Sequence, residues 1–173
     1  MELLTNRLRI RPFNASDFDA MKLVLGDLEV MRFSDHGAMN DAAVLQWLDR
    51  QAHNDQMDSG FGRWAVSLPN FPTAIGYIGL TQDSARMRQA DAELGFRLAR
   101  QHWGCGYATE AGKAMIDYAF ANTDVKRIIA IVDPENLSSI RVLDKLGMSF
   151  ADTVMLAGYD HPDHLFLLDR LNS

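Results

Sequence analysis

At 173 residues the chain can bury one well-packed core but is short for two, so one domain spanning residues 1–173 is expected. Its 47% hydrophobic and 23% charged residues are those of an ordinary globular protein, and a net charge of −6 leaves no basic stripe for nucleic acid. No apolar run approaches the ~20 residues that span a bilayer, no apolar leader opens the chain, and the single Cys105 excludes an internal disulfide; these features predict a cytoplasmic protein without a membrane partner.

From Arg7 to Arg11 basic and apolar residues alternate, the pattern of a half-exposed strand that Pro12 ends. Ser16, with Asp19 three residues on, is placed as the N-cap of a helix carrying Phe18, Met21, Leu25 and Leu28 on one face. Met31 to Met39 has no period and reads as a loop, after which a second helix starts near Asn40 with Val44, Trp47 and Leu48 inward. Strands at Trp64 to Leu68 and Ile75 to Leu80 flank a turn holding Pro69, Asn70 and Pro72 and are expected to form a hairpin, with a third strand, Ala92 to Leu98, beside them. Ala108, Ala111, Met115 and Tyr118 recur at helical spacing and predict a helix from Tyr107 to Asn122. The unbroken apolar run within Arg127 to Val132 reads as a buried central strand. Asn136 to Leu146 is a further helix, with Leu137, Ile140 and Leu143 inward and Gly147 as its C′ cap, and strands near Phe150 to Met155 and His164 to Leu168 close the chain.

Between the third strand and the long helix lies Gln101-His-Trp-Gly-Cys-Gly-Tyr-Ala-Thr-Glu-Ala111. Two glycines, Gly104 and Gly106, at the start of a helix direct unpaired backbone N–H groups to one point and add the positive end of the helix dipole, which makes an anion cradle. A dinucleotide fingerprint would need a third glycine in its place and an early position in the chain. A P-loop would need Lys-Ser or Lys-Thr after the second glycine, and neither pattern is present.

Gln101-x-x-Gly104-x-Gly106-Tyr107-Ala108-Thr109-Glu110-Ala111 resembles the acyl-CoA signature of the GNAT N-acetyltransferases. Asn136-x-x-Ser139-x-Arg141-Val142-Leu143-x-Lys145-Leu146-Gly147-Met148 resembles that family's second motif. The openings Leu3 to Pro12 and Ile75 to Leu80 are similar to the RimJ/RimL-like branch, the ribosomal-protein alanine acetyltransferases, and the likeness spans nearly the whole chain. It implies an α/β fold with a mixed, mostly antiparallel sheet splayed between its fourth and fifth strands. It also implies acetyl-CoA as co-substrate, an amine acceptor and no metal, and it is compatible with a homodimer. The resemblance gives the pyrophosphate to the backbone of Trp103, Gly104, Cys105, Gly106, Tyr107 and Ala108, flanked by Gln101 and Thr109. It gives the pantetheine arm to the splayed strand edges, including Phe96 and Leu98, and sets Asn136 and Ser139 toward the thiol end. Cys105 departs from the Arg or Lys usual between the two glycines.

Acetyl transfer needs a neutral amine, a stabilised oxyanion and protonation of the leaving thiolate. Glu93 is the candidate base, acting directly or through a water, against the plainer reading of a solvated strand carboxylate. A backbone N–H near Phe96 is the candidate oxyanion donor. Ser139 is the candidate acid, against a simple helix-start hydrogen bond, with Tyr159 as second choice. His161 and His164, three apart without a further His or Cys nearby, are read as unmetallated residues that could line an acceptor pocket, and His36 as a loop residue. Trp47, Trp64 and Trp103 are read as core or pocket wall. Two functions fit these residues: an active N-acetyltransferase for a protein N-terminus or small amine, and a degenerate acyl-CoA-binding protein without turnover.

Overall fold

The computed structural model describes residues 1–53, 60–82, 91–156, 158 and 160–170, and among these it forms one eight-stranded sheet. In chain order the elements are β1 (Leu3–Leu4), β2 (Arg9–Arg11), α1 (Phe18–Leu25), α2 (Asp41–Ala52), β3 (Gly62–Ser67), β4 (Ala74–Thr81), β5 (Asp91–Leu98), α3 (Tyr107–Asn122), β6 (Arg127–Val132), α4 (Leu137–Lys145), β7 (Ser149–Met155) and β8 (Pro162–Asp169). The spatial order is β1-β2-β3-β4-β5-β6-β8-β7, and all neighbours are antiparallel except the β5–β6 pair. The short strand β1 pairs with β2, so the splay expected between the fourth and fifth strands falls between β5 and β6.

Where the chain enters α1 the structure differs from the sequence expectation. Asn14, not Ser16, is the cap: its side chain accepts from Ser16 N, and Asp17 Oδ2 accepts from Asn14 N, so Asp17 rather than Asp19 closes the capping box. A 3-10 turn over Ala15–Asp17 precedes α1 and moves the start two residues back. Asp17 is fully buried and takes both Nη atoms of Arg11 at 2.8 and 2.7 Å, which explains why Arg11 is buried rather than half-exposed. A buried guanidinium requires such a bidentate partner. The helix stops at Leu25 with Gly26 as C-cap, leaving Leu28 80% exposed instead of on the inner face. Leu137, at the first position of α4, is likewise exposed, whereas Leu143 is buried and Ile140 packs on the core. The α4 C-terminus behaves as read: Gly147 has φ +79, Gly147 N donates to Asp144 O and Met148 N to Leu143 O. This is the paired-bond stop that glycine at C′ permits.

Two apolar layers sandwich the sheet. Against one face, α3 and α4 pack on Leu94, Leu98, Ile128, Ala130, Val132 and Phe166, with Trp64 fully buried at the same core. On the other face, α1 and α2 cover Ala65, Ala74 and Tyr77, with the Trp47 ring edge-on to Phe13 and tilted against Tyr77. That second layer stops short of the far strands. Ile131, Leu165 and Leu167, which strand alternation turns to the α1–α2 side, are only half-buried.

Candidate active site

The parallel pairing of β5 with β6 is short. Asp91 faces Arg127, Ala92 faces Ile128 and Glu93 faces Ile129; beyond that rung residues 94–98 of β5 and 130–132 of β6 are no longer paired with each other. The closed end is pinned by Arg127 Nε and Nη2, which donate to the Asp91 carboxylate at 3.2 and 3.0 Å. The result is a V between two strands, each still held on its outer side by β4 and β8 respectively. Backbone N–H and C=O groups facing such a gap need a partner, and an extended amide-bearing ligand supplies one. Phe96 and Leu98 lie along the open arm of β5.

Glu93 stands on the last closed rung, between Thr81 of β4 and Ile129 of β6. Alternation turns it, with Gly95 and Arg97, toward the α1–α2 side, where Arg97 Nη1 donates to Tyr77 Oη at 3.3 Å. Burial pushes the Glu93 carboxyl up from its ordinary value, opposed by the charge of Arg63. Two residues on, a Cβ at Gly95 would meet no heavy atom within 4 Å among the described residues beyond its chain neighbours, so on that side the floor beside Glu93 is open among them. A carboxylate with raised basicity beside open space at the apex of the V is placed to take a proton from an amine that approaches there.

The open end of the V meets the glycine turn. Gly104 and Gly106 have φ +71 and +81, left-handed values that glycine adopts without strain. Gly106 caps α3 without any side-chain hydrogen bond, which leaves the first-turn amides of Tyr107, Ala108 and Thr109 directed outward. Trp103, 45% exposed, ties the turn to β5 by donating its Nε1 to Leu98 O at 2.7 Å, so it forms a wall rather than core. Gln101 Nε2 lies 3.3 Å from His102 Nε2, and Cys105 is an exposed free thiol whose Sγ lies 3.5 Å from Trp103 O.

Sequence reading did not find the brace behind this turn. Arg7 Nη1 donates to Cys105 O at 2.9 Å, Arg7 Nε to Glu110 Oε2 at 2.7 Å, and the guanidinium sits 4.8 Å from the Tyr107 ring centre. Glu110 also accepts from Thr5 Oγ1 at 2.6 Å and Arg7 N at 2.8 Å. Burial works to raise the Glu110 pKa, but the Thr5 and Arg7 hydrogen bonds outweigh it and hold the carboxyl below its usual range. Glu110 is thereby drawn away from the helix amides, which stay available to an anion. A separation of 103 residues between partners leaves no local sequence signal.

At the start of α4, Asn136 Oδ1 accepts from Ser139 N at 3.1 Å and from Ser138 Oγ at 3.0 Å. The capping work therefore falls on Asn136 and the neighbouring Ser138. The Ser139 hydroxyl makes no hydrogen bond among the described residues. Tyr159 lies outside the described residues. A groove of about 610 Å³ runs from Thr109 between α3 and α4, past Lys113 and Lys145, to Arg170.

The two C-terminal histidines are not a pair. His164 packs edge-on to Phe150 at 5.1 Å, while His161 lies 3.6 Å from Asp133 and 3.7 Å from Asp163. Asp133, His161 and Asp163 bring ligand atoms within 4.8 Å of one another, a convergence of carboxylates that the sequence spacing did not show. Asp163 is raised by burial and by the neighbouring Asp133 charge. His36 is exposed, with its imidazole 3.2 Å from Asp35 and its backbone N 3.5 Å from Ser34 Oγ, as expected of a loop residue.

The family model described as "Acetyltransferase (GNAT) domain" matches residues 7–149. The uncharacterised N-acetyltransferase p20 of Bacillus licheniformis is 30% identical over 161 residues, covering 91% of this chain and 86% of p20. The spermidine N(1)-acetyltransferase of Escherichia coli is 34% identical over 148 residues, covering 86% of this chain and 76% of that enzyme. Among solved structures, RimL, a ribosomal L7/L12 alpha-N-protein acetyltransferase in complex with coenzyme A, superposes with a TM-score of 0.79 over 96% of both chains. At 15% identity that likeness establishes the fold.

Proposed function

The chain belongs to the GNAT acetyltransferase family, and from that membership we propose that residues 1–173 act as one domain that transfers acetyl from acetyl-CoA to a primary amine by direct attack in a ternary complex. The observation that carries this reading is the V between β5 and β6, with Glu93 on its last closed rung and the glycine turn at its mouth. Acetyl-CoA would set its pyrophosphate on the amides of residues 104–109 and its pantetheine arm in the V. Its nucleotide end would fall toward the groove holding Lys113 and Lys145. The fold likeness to RimL in complex with coenzyme A supports this placement.

Glu93 takes the proton of the incoming ammonium, directly or through one water, and its raised basicity suits that work near neutral pH. An amide N–H of the open β5 arm near Phe96 polarises the thioester carbonyl, a fixed donor that needs no reorganisation as charge develops. The Ser139 hydroxyl, unused by the helix cap, protonates the departing thiolate. The named activities of the relatives support an amine acceptor, and the branch they suggest is an N-acetyltransferase of RimJ/RimL type or a small-amine enzyme.

Thiol release from acetyl-CoA, followed with a chromogenic disulfide against a panel of peptides and small amines, tests the reading. Turnover with at least one amine is expected. Tight acetyl-CoA binding with no turnover on any amine would instead establish the degenerate, cofactor-holding protein.

A further inference from the structure

The cluster at the C-terminal end of β6 is not used by the chemistry above. In the β6–β8 ladder Val132 faces His164, so the next rung brings Asp133 opposite Asp163. Both carboxylates then lie on the α1–α2 side, the face on which Glu93 stands, because Glu93 shares a rung with Ile129 and the alternation runs on through Ile131. Four residues separate Asp133 from that rung, about 13 Å along the strand. Ile131 and Leu165, which lie between the two sites on that face, are half-buried and belong to neither apolar layer, whereas Ile129 beside Glu93 is buried.

Two like charges directly across a ladder repel, and native sheets rarely keep them without compensation. The side chain of Asp163 is only 7% exposed, yet its Oδ1 is buried without a hydrogen-bond partner among the described residues and is aimed at the cluster. The His161 imidazole lies within ion-pair range of both carboxylates, at 3.6 and 3.7 Å, but beyond hydrogen-bonding distance of either. A buried carboxylate oxygen with no donor costs free energy that a cationic ligand would recover. The three acceptors, within 4.8 Å of one another, accommodate an ammonium that donates hydrogen bonds of about 2.8 Å to each.

We propose that Asp163, Asp133 and His161 form a subsite for a second ammonium group of the acceptor, so that the preferred substrates are di- or polyamines reacting at one end near Glu93 and held at the other. This rests on the acetyltransferase reading above and names its substrate class. The acidic net charge of −6 favours approach of such a cation.

The test is calorimetric titration of α,ω-diamines of increasing length, and of the matching n-alkylamines, into the full chain with and without CoA. Thiol-release kinetics on the same compounds run alongside. The diamine of best length should bind about tenfold tighter than its monoamine, as expected of one charged hydrogen-bonded contact. The ratio should fall to within about twofold in Asp163→Asn. Asp133→Asn, at a more exposed position, carries the same comparison should Asp163→Asn not fold, and the wild-type length series requires no variant. Equal affinity for both amine classes, a preference that survives both variants, or Zn²⁺ uptake at the cluster without diamine binding would overturn the proposal. Acetyl transfer to monoamines without diamine preference would do so while leaving the proposed function intact. Diamine binding that depends on Asp163, without transfer to any amine, would remove the proposed function and keep the subsite.

Discussion

Replacing Arg7 with alanine isolates the brace behind the glycine turn. The substitution removes the hydrogen bond to Cys105 O at 2.9 Å and two contacts to Glu110 at 2.7 Å, but leaves Glu110 with Thr5 Oγ1 and the Arg7 backbone N–H. The Arg7 side chain is 45% exposed, so its ion pair, screened by water, contributes only about 0.5 kcal/mol. The charged hydrogen bond to the Cys105 carbonyl contributes about 1 kcal/mol more, because it holds the peptide between the two left-handed glycines. Together these predict that acetyl-CoA binds about tenfold more weakly to Arg7→Ala, since the turn must then be ordered by the ligand. Arg7→Lys should recover little, because an ammonium cannot span both acceptors with one planar fork. Isothermal titration with acetyl-CoA at two salt concentrations reads the loss, and thermal unfolding reads the stability cost separately. An acetyl-CoA dissociation constant within twofold of wild type, with a fall of several degrees in Tm, would show that Arg7 supports the fold and not the cofactor turn.

Glu93→Gln should lower kcat/KM by about 10²-fold or more at neutral pH and remove the acid limb of the pH profile. Wild-type activity should fall as pH drops through the raised Glu93 pKa, because the base must be ionised. The same shift has a stability consequence: a carboxyl raised by burial favours the fold below its unfolded pKa and loses that contribution as pH rises through the folded pKa. Glu93→Gln should therefore melt higher than wild type at pH 7 and no higher near pH 4; a lower Tm at pH 7 would refute the assignment of burial as the cause. Ser139→Ala should reduce turnover while the acetyl-CoA dissociation constant stays within a few-fold. Wild-type values of both would move the acid elsewhere. Gly106→Val places a β-branched residue at φ +81, at a cost of about 1–3 kcal/mol, with its Cβ 3.4 Å from Arg7 Nη2, and should abolish measurable acetyl-CoA binding. Unchanged affinity in calorimetry would count against the turn as the pyrophosphate site.

Much of the architecture was legible because its signals are local. Helical spacing set α3 at Tyr107–Asn122, the apolar run set β6 at Arg127–Val132, and the glycine pair marked the anion cradle. Local signals failed where a distant partner overrode them. Arg11 reads as part of a half-exposed alternating strand, yet the fully buried Asp17 draws it inside. Leu28 continues a helical stripe that Gly26 has already ended. The glycine pair and the apolar period along the chain were sufficient by themselves to mark the strand–turn–helix cradle, while the resemblance of two motifs to the GNAT acetyltransferases pointed to the family and made Glu93 and Ser139 candidates. Only the tertiary structure decided that Glu93 stands where the parallel ladder stops, that Arg7 and Glu110 brace the turn, and that Asp133 meets Asp163 across a ladder end. Each of these depends on strand register or on contacts between residues far apart in sequence, and a periodicity of two or 3.6 carries no information about register.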